Sequence, residues 1–185
     1  MLLNGVLFNS EAWHGVTNAD MKSLESIDEQ LLRSLVQAHS KTPIEFLYLE
    51  SGAIPIRFLI SSRRMVYLRT ILSKDDSELV KRIYRAQANN PSLGDYVELI
   101  KSDFQTIAVP FEEAEIINQS APLYKSYIKT EMREAALKYL NTLKDTHSKI
   151  KHIEYESLQR QVYLTSPLFS NTDVNILFSL RSRMV

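Results

Sequence analysis

TNADMKSLESIDEQLLRSL, residues 17–35, is the stretch on which the fold class turns. Thr17, Asn18 and Asp20 offer side-chain oxygens for the unpaired N–H groups of a first helical turn. Met21, Leu24, Ile27, Leu31 and Leu35 follow at spacings of three, three, four and four. That spacing lays them along one stripe of a helix, with Asp28, Glu29 and Arg33 on flanking or outer positions.

Reading outward from this helix, the same pattern recurs in both directions. Leu2, Leu3, Val6, Leu7 and Trp13 predict a first helix ending near His14 and Gly15. Thr42, Pro43, Ile44 and Glu45 read as N-cap, first-turn proline and capping-box acid of a short helix that carries Phe46, Leu47 and Leu49 and closes at Gly52. Pro55 opens another, running to about Leu72, and residues 73–76 supply a cap for the next, through Leu79, Val80, Ile83 and Tyr84. Asn89, Asn90 and Pro91 make a turn, after which a helix from near Gly94 carries Tyr96, Val97, Leu99, Ile100 and Phe104.

Val109, Pro110 and Phe111 form the clearest joint, dividing an N-terminal bundle, residues 1–108, from a C-terminal helical unit, residues 109–185. Past it the pattern predicts a short helix at 112–117 and a long one at 124–143 whose inward face is Ile128, Met132, Ala135, Ala136, Tyr139 and Leu143. Residues 147–155 lack periodicity and read as a loop. Asn171, Thr172 and Asp173 cap a last helix through Ile176, Leu177 and Leu180. The expected fold is therefore all-α, an irregular bundle of roughly seven to nine helices.

Bulk composition agrees with that reading. The 185 residues are 44% hydrophobic and 24% charged, a globular balance, and only four glycines and six prolines interrupt them. Without cysteine there is no disulfide, no thiol catalysis and no Cys-ligated zinc. Apolar runs of a few residues fall far short of the roughly 20 needed to span a bilayer, so no membrane partner is expected. The formal net charge of zero counts against an autonomous grip on nucleic-acid phosphates, though not against a local basic face.

The chemistry-bearing residues give a poor case for an enzyme. Asp75 and Asp76 could hold Mg²⁺, but a polymerase site would place an aromatic where Ser73 stands, and the pair sits where a helix N-terminus favours negative charge. His14, His39, His147 and His152 show no helical zinc spacing, no Gly-x-Ser-x-Gly elbow occurs, and no Gly-rich phosphate loop is present, so no cofactor or metal is implied.

The charge feature with weight is Arg57, Arg63, Arg64 and Arg69, in a segment between Ser51 and Ser73 that holds no acid. Arg57 and Arg64 fall close together at 100° per residue, and Tyr67 offers a stacking surface beside forks suited to phosphate. The competing reading pairs these arginines internally with Glu45, Glu50 or Asp76. Lys149 and Lys151, between His147 and His152, could touch phosphate or form a solvated basic loop. The remaining aromatics, Trp13, Phe46, Tyr48, Phe58 and Tyr84, read as core.

Several strings resemble the region that follows the polymerase palm in animal non-LTR, LINE-type retrotransposon reverse transcriptases. They are LLNGVLFNSEAW at 2–13, IDEQLLR at 27–33, TPIEFLYLESGAIPIRF at 42–58 and RRMVYL at 63–68. GDYV at 94–97, HSK at 147–149 and LFSLRSRM at 177–184 are weaker landmarks. The resemblance runs over essentially the whole chain, and the block at 42–68 is its most specific part.

It implies a helical thumb and connector that holds an RNA template and RNA–DNA hybrid against the polymerase palm of the same polyprotein, in the nucleus or cytoplasm. Arg57, Arg63 and Arg64 are the positions it points to for backbone contact. The aromatic-x-Asp-Asp polymerase motif is missing, as is the Cys/His segment such proteins often carry past the final Leu-Arg-Ser-Arg. Both absences, with the abrupt ends, fit a truncated element copy or gene-model fragment. The other reading is a helical protein–protein scaffold with no nucleic-acid role. Neither reading specifies an oligomeric state.

Overall fold

Thr17 and Ser170 open two helices by the same device. In the computed structural model, which describes residues 7–148, 150–166, 168 and 170–183, each hydroxyl accepts the backbone N–H three residues on, from Asp20 at 3.2 Å and Asp173 at 3.3 Å. Each aspartate in return takes the N–H and hydroxyl proton of its partner. These reciprocal pairs satisfy donors that the start of a helix leaves open. At the second site Ser170, one residue ahead of the expected cap, is the residue that does this.

Among the described residues there are eight α-helices, two short 3-10 turns and no strand. The helices are α1 (Asn18–Leu35), α2 (Ile44–Ser51), α3 (Ile56–Leu72), α4 (Leu79–Asn89), α5 (Tyr96–Thr106), α6 (Glu113–Asn118), α7 (Ala121–Lys144) and α8 (Asn171–Arg183). The all-α bundle read from the sequence is the fold.

Local details depart from the sequence reading, each for a physical reason. Where a first helix was expected, the described residues make only a 3-10 turn at Ser10–Ala12, because Asn9 and Gly15 both sit at positive φ and Trp13 is extended. The apolar strip's first members, Leu2, Leu3 and Val6, lie outside the described residues. The capping box at Thr42 does not form: α2 starts after Pro43 with no side-chain cap, the Thr42 carbonyl accepts from Arg33, and Glu45 turns to His147 instead. Asp75 closes a turn on the N–H and hydroxyl of Ser77, and Asp76 pairs with Lys81, so the acidic pair shapes the approach to α4 and does not cap it.

The largest departure is on α1. Ile27 and Leu35, members of the predicted stripe, are exposed, whereas Leu32 and the supposedly outer Asp28 are buried. Asp28 turns inward because the Tyr48 hydroxyl donates to it at 2.7 Å. Burial raises its carboxyl above the usual range despite that bond. Hydrogen bonds from the Tyr48 hydroxyl and the Ile56 backbone outweighed the apolar register.

The chain groups into two compact units. Unit 1 comprises Met1–Lys22 and Arg57–Met132, and unit 2 comprises Ser23–Ile56 and Arg133–Val185. Unit 1 buries Met65 and Leu68 of α3, Tyr84 of α4, Ile100 of α5 and Ile128 of α7. Unit 2 buries Phe46, Leu47 and Leu49 of α2, Ala136 and Leu140 of α7, Leu158, and Phe178 of α8. Counting the sequence over these bounds, unit 1 holds twelve Lys and Arg against twelve Asp and Glu, and unit 2 ten against ten. Neutrality therefore holds within each unit, and any grip on phosphate must come from a local face.

Candidate nucleic-acid interface

Helix α3 carries the four arginines singled out by the sequence, and the structure gives them different tasks. Arg64 is buried, and its Nε lies 3.5 Å from Asp103 Oδ2 on α5, with both side chains under a tenth exposed. Burial pushes the Asp103 carboxyl up, against the opposing pull of Arg64. The Arg64 carbonyl also accepts the Tyr96 hydroxyl at 3.0 Å. Arg64 thus joins α3 to α5.

Arg69 and Arg63 are half-buried, and their forks reach main-chain oxygens. Arg69 Nε and Nη2 both donate to the Gln119 carbonyl, at 3.0 and 2.6 Å, tying α3 to the α6–α7 junction. Arg63 Nη1 donates to the Leu7 carbonyl at 2.6 Å. A carbonyl orients a guanidinium without cancelling its charge, so Arg69 keeps a positive field that Arg64, facing a carboxylate, does not. Arg57 is half-buried on the first turn of α3.

The other candidates are dispersed. The Tyr67 ring meets Tyr96 edge-on with centroids 6.5 Å apart, so it packs within unit 1. Lys151 is exposed, and Lys149 lies outside the described residues. His147, 3.3 Å from Glu45, is turned into unit 2. The acids named as internal partners for the arginines serve other bases: Glu45 meets His147, Glu50 meets Arg181, and Asp76 meets Lys81. Asp103, 39 residues beyond Arg64, was the partner no local pattern indicated.

A polar constellation in unit 2 likewise follows from no local pattern. Glu50, in the last turn of α2, is fully buried. Its carboxylate accepts from the Tyr155 and Tyr163 hydroxyls, each at 2.5 Å, and from Arg181 Nε and Nη2 at 3.1 and 2.7 Å. Its backbone oxygen takes the Gln161 N–H at 2.9 Å. Burial, and then the bond to Glu50, push both tyrosine hydroxyls up, so they stay protonated donors at neutral pH. Burial opposes the Arg181 charge, but the bonds and charge of Glu50 override it and hold its pKa above the ordinary value.

Gly52, at φ 66°, lets the chain turn away directly after this residue, and a Cβ there would stand 2.3 Å from the Arg160 nitrogen. One sequence signal existed. A carboxylate directly following the apolar run Phe46-Leu47-Tyr48-Leu49 must find buried donors or leave the core.

Among the described residues, no three His, Asp or Glu side chains come together as a metal-binding group. No helix there is long and apolar enough to cross a membrane. Comparison with known protein families, characterised proteins and solved structures finds no match.

Proposed function

We propose that the chain is a non-catalytic, nucleic-acid-positioning segment of a non-LTR-type reverse transcriptase, holding an RNA–DNA hybrid by its backbone while a separate palm polymerises. The observation that carries this reading is the block at 42–68. Its second helix, α3, bears four arginines and no acid. Its first helix is bonded to a second landmark of the same resemblance, since Glu50 is held by Arg181 of the 177–184 string. The resembling strings include residues that hold the fold together.

The arginines divide within this reading. Arg64 has a carboxylate partner inside unit 1 and serves the scaffold, whereas Arg69, whose guanidinium is held by a neutral carbonyl, and the exposed Lys151 are the phosphate-contact candidates. The test is fluorescence anisotropy of a labelled RNA–DNA hybrid titrated with the chain at about 50 and about 200 mM salt. Counterion release predicts measurable binding at low salt that is lost steeply at high salt. Absence of binding at low salt would contradict the proposal.

The protein–protein scaffold reading is favoured by one observation, that each unit is net neutral while Leu79 and Ile83 lie exposed one turn apart on α4. It predicts no hybrid binding at any salt, with Leu79→Ser plus Ile83→Ser abolishing association with a protein partner.

A further inference from the structure

We infer that α8 is a latched strap on unit 2, with the carboxylate of Glu50 as the catch and Arg181 as the bolt. Three features of unit 2 point to it. First, α8 is self-contained at its start, because Ser170 and Asp173 cap it reciprocally and owe nothing to the rest of the unit.

Second, its seat lies along one side, where it also packs on the turn at Val162–Leu164. Phe178 rests on Phe46 with ring centroids 5.5 Å apart, Asn175 Nδ2 donates to Gln37 Oε1 at 2.8 Å, and Arg181 forks onto Glu50. Thr172, Asp173, Ile176, Ser179 and Leu180 face water. A helix seated along one edge can leave without opening the rest.

Third, the ionic centre is asymmetric. Glu50 is fully enclosed, while the Arg181 side chain is 40% exposed and stacks beside the Tyr163 ring. The two tyrosines donate hydrogen bonds but carry no charge. Arg181 is therefore the cation that neutralises Glu50 among the described residues, and it arrives on α8. Lifting α8 leaves the Glu50 carboxylate with neutral donors only, which disfavours release and holds α8 seated. Seated or released, α8 is a two-state element, and release uncovers the Phe46 ring.

The test is hydrogen–deuterium exchange of the full chain for wild type, Glu50→Gln, Arg181→Gln and Tyr163→Phe. The latch predicts at least tenfold faster exchange of amides 174–183 in the first two variants and unchanged exchange over 133–144. Tyr163→Phe removes one bond but keeps the charge pair, and is expected to change α8 by less than threefold. Uniform acceleration across unit 2 would make the centre a general pillar and overturn the proposal, as would unchanged α8 exchange in Arg181→Gln. Should Glu50→Gln not fold, Arg181→Gln and Tyr163→Phe decide the matter, since the first alters the half of the centre that faces solvent and the second keeps the charge pair.

Discussion

Glu50 in unit 2 and Asp103 in unit 1 are both carboxylates taken out of water beside an arginine, yet their surroundings differ. Glu50 accepts four side-chain hydrogen bonds from three residues. Asp103 Oδ2 and Arg64 Nε face each other at 3.5 Å without a hydrogen bond, and neither atom has another partner. A buried ion pair recovers its desolvation cost only when the remaining lone pairs and protons are also satisfied. The difference teaches that burial of charge is not a measure of stabilisation: the Glu50 centre bonds α8 to the rest of unit 2 through a fully satisfied carboxylate, whereas the Arg64–Asp103 pair in unit 1 leaves atoms without a partner.

The comparison can be broken most easily at Glu50. Glu50→Ala leaves Arg181 and two hydroxyls without their acceptor, and a loss of about 3–5 kcal/mol in urea unfolding is expected. A loss below about 1 kcal/mol would remove the contrast. Next in size is Gly52→Ala, which forces a side chain into a left-handed conformation worth about 1–3 kcal/mol. It also drives a Cβ against the Arg160 backbone. Tolerance at that position would mean the chain after Glu50 does not lie where the centre needs it.

On the other side of the comparison, Arg64→Met combined with Asp103→Leu should leave stability unchanged or raise it by about 1 kcal/mol, since apolar pairs of similar volume often replace a poorly satisfied ion pair without loss. A fall of several kcal/mol would place this pair alongside Glu50. The smallest effect concerns pH. The Asp103 carboxyl is raised, so the folded chain holds that proton more tightly than the unfolded one. Its contribution to stability declines as pH rises through and just above the ordinary carboxylate range. Asp103→Asn cannot lose that proton, so its stability relative to wild type should grow as pH rises through and above the ordinary carboxylate range. A flat difference would contradict the assignment.

Helix positions were legible in the sequence because caps and apolar runs are local signals. Faces were less so. The apolar stripe on α1 pointed to Ile27 and Leu35, but Asp28 was drawn inward by Tyr48, 20 residues away. The expected first helix stopped at positive φ on Asn9 and Gly15, which an apolar count does not register. At the candidate interface, the four arginines were found by charge alone. Their partners were not: Asp103, the Gln119 carbonyl and the Leu7 carbonyl are brought to α3 by tertiary packing. The Glu50 centre joins residues 105, 113 and 131 positions apart, beyond any window of local pattern. The two units are each assembled from separated segments, and no shift in composition marks such interleaving.

The arginines of α3 divide between two tasks in the proposed function, and the salt dependence of RNA–DNA hybrid binding separates them most directly. Each phosphate neutralised contributes roughly 0.7–0.9 to the slope of log affinity against log salt. Arg69→Ala should reduce that slope by about 1 and weaken binding at low salt. Arg64→Met with Asp103→Leu should leave both slope and affinity as in wild type. An unchanged slope in the first variant, or a reduced one in the second, would contradict the account.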